Sequence, residues 1–277
     1  MNVQQALVFV QSEIASDQAF IDARYLLSHV LQKNFSWLKT WPETLLSEEQ
    51  QITLTAMVKR RKNGEPIAYI TGEKEFWTLK LETNSSTLIP RPETELLVEK
   101  AIEFLNFYEK AKILDLGTGT GAIALAIASE RRNDQVYASD FQLGAVELAQ
   151  RNARLNNLHN VTILQSDWFS NIEKLEYQLI VANPPYVAPD DPHLEKGDLI
   201  FEPDSALVSG DNGLSDIKII VSQTKSYLAA AGKLMIEHGF EQGREVRQIF
   251  EQFGYDNVET ACDLSGLDRI TMGSLPC

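Results

Sequence analysis

Asn183-Pro184-Pro185-Tyr186 is the segment whose residue types and order most directly suggest chemistry. It follows an apolar run, Leu179-Ile180-Val181-Ala182, which predicts a buried strand. A segment just past the carboxyl end of a strand is where open α/β sheets place ligands. Two successive prolines fix φ near −65° and remove two backbone donors. What such a turn presents is acceptors: the Asn183 side-chain oxygen and the Pro184 carbonyl. A planar –NH2 group carries two donors and needs two acceptors. Tyr186 adds an aromatic face for a planar amide or base. The segment is therefore expected to hold a planar amino group still while it is attacked from one side. A stiff turn after a strand would use the same prolines.

Upstream, Lys112-Ile113-Leu114-Asp115-Leu116 reads as a strand, Gly117-Thr118-Gly119-Thr120-Gly121 as a turn, and Ala122 onward as a helix. Glycines let a backbone approach a ligand closely, and the following helix offers unpaired N–H groups and a positive dipole end. The spacing is G-x-G-x-G. It is neither the G-x-G-x-x-G dinucleotide pattern nor a nucleotide-triphosphate loop, which would end in Lys-Ser/Thr. The turn resembles the first motif of the S-adenosylmethionine-dependent methyltransferases. That resemblance implies that Gly117, Thr118, Gly119, Thr120 and Gly121 hold the amino-acid end of S-adenosyl-L-methionine. A second apolar run ends in Asp140, an acid placed to accept hydrogen bonds from both hydroxyls of a ribose. A third ends in Asp167-Trp168, an acid for an adenine amino group and an aromatic for its ring. Asp140 also reads as a helix cap before 141–149, and Trp168 also reads as core.

These residues need a frame. Residues 1–72 read as a small helical bundle, expected to recognise substrate. Helices are expected from Val3, from an Asp17 cap, and from Ser47, which opens a capping box and a helix to Arg61. Residues 73–88 read as a β-hairpin linker, with Phe76, Thr78, Lys80 and Glu82 on one face and Trp77, Leu79 and Leu81 on the other. Residues 89–277 carry the alternating strands and helices of an α/β domain. Arg91, Glu93 and Glu95 are placed to pair with one another or to line the cleft between domains, and taken alone they read first as a solvated helix start. The stretch from Val187 to Gly213 reads as a long irregular loop with six carboxylates: Asp190, Asp191, Glu195, Asp198, Glu202 and Asp204.

Composition limits the partners. The 277 residues carry a net charge of −14, a poor match for phosphate backbones, which Lys and Arg bind. No direct nucleic-acid partner is expected. The first twenty residues lack the basic start of a signal peptide, and no apolar run approaches the roughly 20 residues of a membrane span. A cytoplasmic monomer is expected. Cys262 and Cys277 make no disulfide or metal framework, and four scattered histidines make no ligand pattern, so no metal is expected.

Together the helical bundle, Ala68-Tyr69-Ile70-Thr71-Gly72, Ile89-Pro90-Arg91-Pro92-Glu93-Thr94-Glu95, the glycine turn, Asn183-Pro184-Pro185-Tyr186 and Glu202-Pro203 with Ala206-Leu207 resemble one family along the whole chain. It is the HemK family, the protein-(glutamine-N5) methyltransferases that act on peptide chain release factors. A sister family, which methylates a ribosomal-protein glutamine, differs around Pro92-Glu93-Thr94. The resemblance implies a Rossmann-like, seven-stranded class I methyltransferase domain behind the helical bundle. It implies transfer from S-adenosyl-L-methionine to the amide nitrogen of the glutamine in the Gly-Gly-Gln motif of release factors 1 and 2. Asn183, Pro184 and Tyr186 are then expected to be catalytic, with Pro185 completing the substrate turn and Asn183 also reaching the cofactor. No general base is assigned. Two rivals would use the same turn on a base amino group, an N6-adenine or N4-cytosine DNA methyltransferase and an RNA guanine-N2 methyltransferase. A third is a cofactor-binding adaptor without catalysis.

Overall fold

Asn2 starts the first helix because its side chain accepts from the Gln5 N–H at 2.8 Å while Gln5 Oε1 accepts from the Asn2 N–H at 2.9 Å, a reciprocal cap. The computed structural model describes residues 1–14 and 16–276; Cys277 lies outside the described residues. The chain divides into two units. One takes Met1–Glu73 and Leu194–Phe201, the other Lys74–His193 and the chain from Glu202 onward.

The first unit contains α1 (Val3–Glu13), α2 (Ala19–Leu31), α3 (Phe35–Thr40), α4 (Glu48–Lys62) and α5 (Ile67–Thr71). Val3, Ala6 and Val10 recur at helical spacing and are fully buried, as are Ala23, Leu26, Leu27 and Leu54. Ser47 caps α4 with the expected box. Asp17 does not cap α2. That helix starts one residue later than an Asp17 cap allows, with Gln18 at the cap and no side-chain bond; Ser16 Oγ accepts the Gln18 N–H at 3.2 Å and makes a turn there instead. Arg61 bonds the buried Asp22 at 2.8 Å and reaches Asp198 at 3.4 Å. One of the six loop carboxylates therefore has a partner inside its own unit.

A hairpin, β1 (Glu73–Phe76) and β2 (Leu79–Glu82), turned through Trp77 at φ 57°, lies in the second unit from Lys74 onward. The turn changes the expected faces: Phe76 joins Leu79 and Leu81 in the core. Then follow α6 (Glu95–Leu105), β3 (Lys112–Leu116), α7 (Ala122–Glu130), β4 (Gln135–Asp140), α8 (Leu143–Leu155), β5 (Val161–Gln165) and β6 (Tyr177–Ala182). After a long connection come a short turn, α9 (Gly210–Gly213), in which Asp211 and Asn212 are left-handed, then α10 (Ser215–Thr224), β7 (Leu228–Glu237), α11 (Gly243–Gln252), β8 (Asp256–Cys262) and β9 (Asp268–Ser274).

Seven strands form one sheet in the order β5-β4-β3-β6-β7-β9-β8, with β9 antiparallel to both neighbours. The apolar runs read as buried strands are its centre: every residue from Leu179 to Ala182 is fully buried. Alternate residues feed two cores. Ile113, Leu179 and Val181 pack with α6 and α7. Leu114, Ile180 and Ala182 pack with α10 and α11. The unit is thus an α/β Rossmann-like seven-stranded domain. β4 lies on one side of β3 and β6 on the other. The strand order reverses there, and the carboxyl ends of β3 and β6 flank a switch point, the default ligand crevice of such sheets. Among the described residues no helix is long and apolar enough to cross a membrane.

Candidate active site

A cavity of about 310 Å³ opens over these strand ends. Its walls include Gly117, Thr118, Gly119 and Thr120 after β3, Asp140 at the end of β4, Asp167 and Trp168 after β5, and Asn183 and Pro185 after β6. Four separate strand-end segments thus meet in one cavity. Three expected residues are placed differently. Gly121 is the residue before α7 and is not part of the lining, and Pro184 is buried behind it. Tyr186 is half-buried and also outside the lining; burial pushes its hydroxyl pKa well above the ordinary tyrosine value.

The glycine turn is shaped by an acid beneath it. Asp115 is fully buried, and its Oδ2 accepts from Thr118 Oγ1 at 2.6 Å and the Ala124 N–H at 3.3 Å. Its Oδ1 has no hydrogen-bond partner. Burial pushes the Asp115 pKa up to about 7, against the pull of those two bonds. Gly117, at φ 71°, lets the turn lie against an aromatic wall: a Cβ there would sit 3.4 Å from the Trp168 ring. Trp168 itself has φ 43°, an uncommon conformation for a bulky residue. Ser166 Oγ secures it by donating to the Trp168 carbonyl at 2.8 Å and accepting from the Asn171 N–H at 3.0 Å.

Stability should follow the Asp115 proton. Folding favours the neutral acid, so the folded chain takes up a proton between the unfolded value of 3.8 and about 7. The stabilisation is complete below the unfolded value and is lost as pH rises through about 7, a swing of about 4 kcal/mol at most. Asp115→Asn should therefore flatten the fall in melting temperature between pH 5 and pH 8. An unchanged slope would show that Asp115 does not bind this proton.

Asp140 closes the next wall. Its Oδ2 accepts from the Gly119 N–H and its Oδ1 from the Gln142 N–H, both at 2.9 Å. It does not cap α8, whose cap position is Gln142. Burial raises its pKa while the backbone bonds oppose the rise. Backbone N–H groups take only part of the lone-pair capacity of its two oxygens. With Trp168, Asp167 and the glycine turn, this donor and acceptor set fits a group with an adenosine and an amino-acid end.

Several residues of the site were not singled out from the sequence. Phe141 lines the cavity and is 61% exposed. Its signal was an aromatic directly after a strand-end acid, the same pattern as Asp167-Trp168. Arg91 and Thr94 also line it. Arg91 is not part of a solvated helix start: it pairs at 2.6 Å with Glu202, whose other oxygen accepts the Ile89 N–H at 3.1 Å. The Glu202 side chain is fully buried, so it too is withdrawn from the exposed acidic loop. Glu95 is likewise engaged, accepting the Trp77 N–H at 2.8 Å. Glu237, at the end of β7, is buried, and its carboxylate faces Thr94 and Asn183. Burial pushes its pKa up to about 7; Thr94, Arg269 and Asn183 pull it down, and Glu93 pushes it up.

Comparison with known proteins agrees with this architecture. The methyltransferase small domain family matches residues 92–212, and the PrmC N-terminal domain family matches residues 6–72. A release factor glutamine methyltransferase from Aliivibrio fischeri is 51% identical over 93% of this chain and 91% of its own length. The enzyme of that name from Escherichia coli is 48% identical over 94% and 93%. That from Haemophilus influenzae is 45% identical over 97% and 96%. Among solved structures, the hMettl16 catalytic domain, in complex with a MAT2A 3′UTR hairpin, superposes with TM-score 0.58 at 13% identity over 83% of each chain. A methyltransferase from Pyrococcus furiosus superposes with TM-score 0.53 at 15% identity over 83% of this chain and all of its own. The structural likenesses speak to the fold alone. The identity sustained across both units does more: the chain belongs to the release factor glutamine methyltransferase family.

Proposed function

We propose that this enzyme transfers a methyl group from S-adenosyl-L-methionine to the side-chain amide nitrogen of the glutamine in the Gly-Gly-Gln motif of release factors 1 and 2. The observation that carries the reading is Asn183-Pro184-Pro185-Tyr186 at the end of β6, with Asn183 and Pro185 on the wall of a cavity whose other walls fit the cofactor.

An amide nitrogen is a weak nucleophile because its lone pair is delocalised into the carbonyl. When bound, S-adenosyl-L-methionine supplies a methyl group on a positive sulfur, which makes the carbon electrophilic. The chain supplies position. Asn183 Oδ1 and the Pro184 carbonyl accept the two amide hydrogens and aim the nitrogen, and they offset the positive charge that grows on it. Holding reactants this way lowers barriers by up to about 7–11 kcal/mol in favourable cases. Pro185 stiffens the turn, and Tyr186 packs against the amide plane. As the nitrogen–carbon bond forms, the electron pair of the breaking carbon–sulfur bond stays with sulfur, and the nitrogen gives one proton to solvent. No general base is required, because the cation formed when an amide nitrogen is alkylated is a strong acid: losing its proton restores the amide resonance.

Asp140 accepts from the ribose hydroxyls, Trp168 and Asp167 hold the adenine, and the glycine turn holds the amino-acid end. Asp140→Ala should weaken S-adenosyl-L-methionine binding about 10- to 100-fold, the loss of one or two charge-assisted hydrogen bonds. Isothermal titration of the free protein reads this directly, and unaltered affinity would remove Asp140 from the cofactor site. The helical unit is assigned to recognition of the release factor. Asp190, Asp191, Glu195 and Asp204 of the connecting segment are offered to basic parts of the partner, now without Asp198 and Glu202.

The deciding experiment is peptide mass mapping of release factor 1 or 2 after incubation with the enzyme and S-adenosyl-L-methionine. One added methyl on the Gly-Gly-Gln glutamine, absent with Asn183→Ala, is expected. No added methyl with cofactor bound would move the search to the ribosomal-protein glutamine and then to adenine in DNA.

A further inference from the structure

Thr94 and Glu237 are buried polar residues beside Asn183 that the reaction scheme leaves without a task; they are 4% and 3% exposed. Their placement follows from the sheet. Ala182 of β6 pairs with Ile236 of β7, so Asn183 and Glu237 leave neighbouring strands side by side. Thr94 lies just before α6 and lines the cavity. Asn183 Nδ2 donates to Thr94 Oγ1 at 3.3 Å. The Glu237 carboxylate faces both the Thr94 hydroxyl and the Asn183 amide, and among the described residues its Oε2 has no hydrogen-bond partner.

An asparagine amide has two ends of nearly equal size, one an acceptor and the other a double donor. Only the oxygen end can take a hydrogen from a substrate amide; the nitrogen end would repel it. Something must therefore fix which end faces the cavity. A threonine hydroxyl has one hydrogen. If that hydrogen goes to a carboxylate, only lone pairs remain for Asn183, and only the NH2 end can meet them. We infer that Glu237, acting through the Thr94 hydroxyl, is a positioning residue that holds Asn183 with its oxygen toward the substrate amide. This rests on the reading of Asn183 as the acceptor for that amide.

Thr94→Val keeps the shape and removes the hydroxyl; Thr94→Ser keeps the hydroxyl. Glu237→Gln replaces an acceptor-only carboxylate with an amide that can present its NH2 end to the hydroxyl and turn the hydroxyl hydrogen toward Asn183. Thr94→Val and Glu237→Gln should each lower kcat about 100-fold, with KM for the release factor and affinity for the cofactor little changed. Thr94→Ser should retain most of the wild-type kcat. A carboxylate is the required acceptor, so wild-type kcat should rise through an ionisation near 7, and Glu237→Gln should lack that limb. The other groups facing Glu237 are Thr94, Asn183, Arg269, Glu93 and Tyr186. Asp115 titrates in the same range, so a limb that survives in Glu237→Gln belongs elsewhere and counts against the inference.

A second readout needs no turnover. The side-chain amide resonances of Asn183 in the full-length protein should shift as pH passes through 7, and stay fixed in Glu237→Gln. Equal kcat for wild type and a folded Thr94→Val, or equal loss in Thr94→Ser and Thr94→Val, would overturn the inference. So would an Asn183 resonance that ignores pH. Should Glu237→Gln fail to fold, the two Thr94 variants and the wild-type titration still decide. Failure of the broader reading looks different: wild type would then leave the release factor unmethylated while the Asn183 titration still reports on Glu237.

Discussion

Asn183→Ala is expected to lower kcat for methyl transfer about 100- to 1,000-fold, the usual effect of removing one group aimed at developing charge in a water-poor site. The variant should remain folded. Asn183 is only partly buried, and its side chain is held by a 3.3 Å hydrogen bond to Thr94 and by the facing Glu237 carboxylate, so truncation costs about 1–2 kcal/mol. The turn keeps its shape because Pro184 and Pro185 fix their own φ. Asn183→Asp should fare no better. A carboxylate there would adjoin Glu237, and two neighbouring carboxylates share a proton more readily than they both ionise. When protonated, the new carboxyl donates where the wild-type amide oxygen accepts; when ionised, it drives off Glu237. Single-turnover rates at saturating cofactor, with melting curves of each variant, separate the chemical loss from unfolding. A rate near wild type in Asn183→Ala would remove the residue from the chemistry.

The central features of the fold are legible because they are local. Leu179-Ile180-Val181-Ala182 is a continuous apolar run of strand length, as a strand covered on both faces requires; it is the buried middle of the sheet. Ser47 and Gln50 lie three residues apart and meet as a cap for reasons internal to one turn of helix. The four strand-end segments of the cavity are each a short word of sequence: glycine turn, acid, acid with aromatic, Asn-Pro-Pro-Tyr. What escapes a linear reading depends on pairs far apart in the chain. Arg91 reads as a helix-start charge until Glu202, 111 residues later, is found against it. Glu237 reads as the polar end of a strand until the β6–β7 register brings it to Asn183. Asp17 carries a valid cap signal, yet the Ser16 side chain captures the Gln18 N–H and forms a turn first. In the hairpin, alternation fails at Trp77 because a two-residue turn moves Phe76 to the buried side.

Gly213 is the position where a single methyl group should do most harm to the fold around the site. Its φ is 84°, and a Cβ would sit 2.1 Å from the Tyr186 carbonyl oxygen and 2.7 Å from Gln242 Nε2. Neither neighbour can yield cheaply. Gln242 Nε2 donates to the Tyr186 carbonyl at 3.0 Å and to the Asn212 carbonyl at 3.1 Å, while Gln242 Oε1 accepts the Gly239 N–H at 2.9 Å. Val187, the next residue, is fastened on both sides, its N–H to Leu207 and its carbonyl to the Ser209 N–H. Relief must come from moving Tyr186, and with it the turn that carries Asn183. Gly213→Ala should therefore cost about 2–4 kcal/mol and lower the melting temperature by about 5–15 °C. The surviving folded enzyme should turn over more slowly while binding cofactor normally, since the glycine turn and Asp140 are untouched. Gly266→Ala is the matched control, because φ there is 77° and nothing lies within 4 Å of the added Cβ. It bears only the conformational penalty, about 1 kcal/mol. If the two variants melt together, the cost at Gly213 is backbone conformation alone, and the lock on Tyr186 has more give than its hydrogen bonds imply.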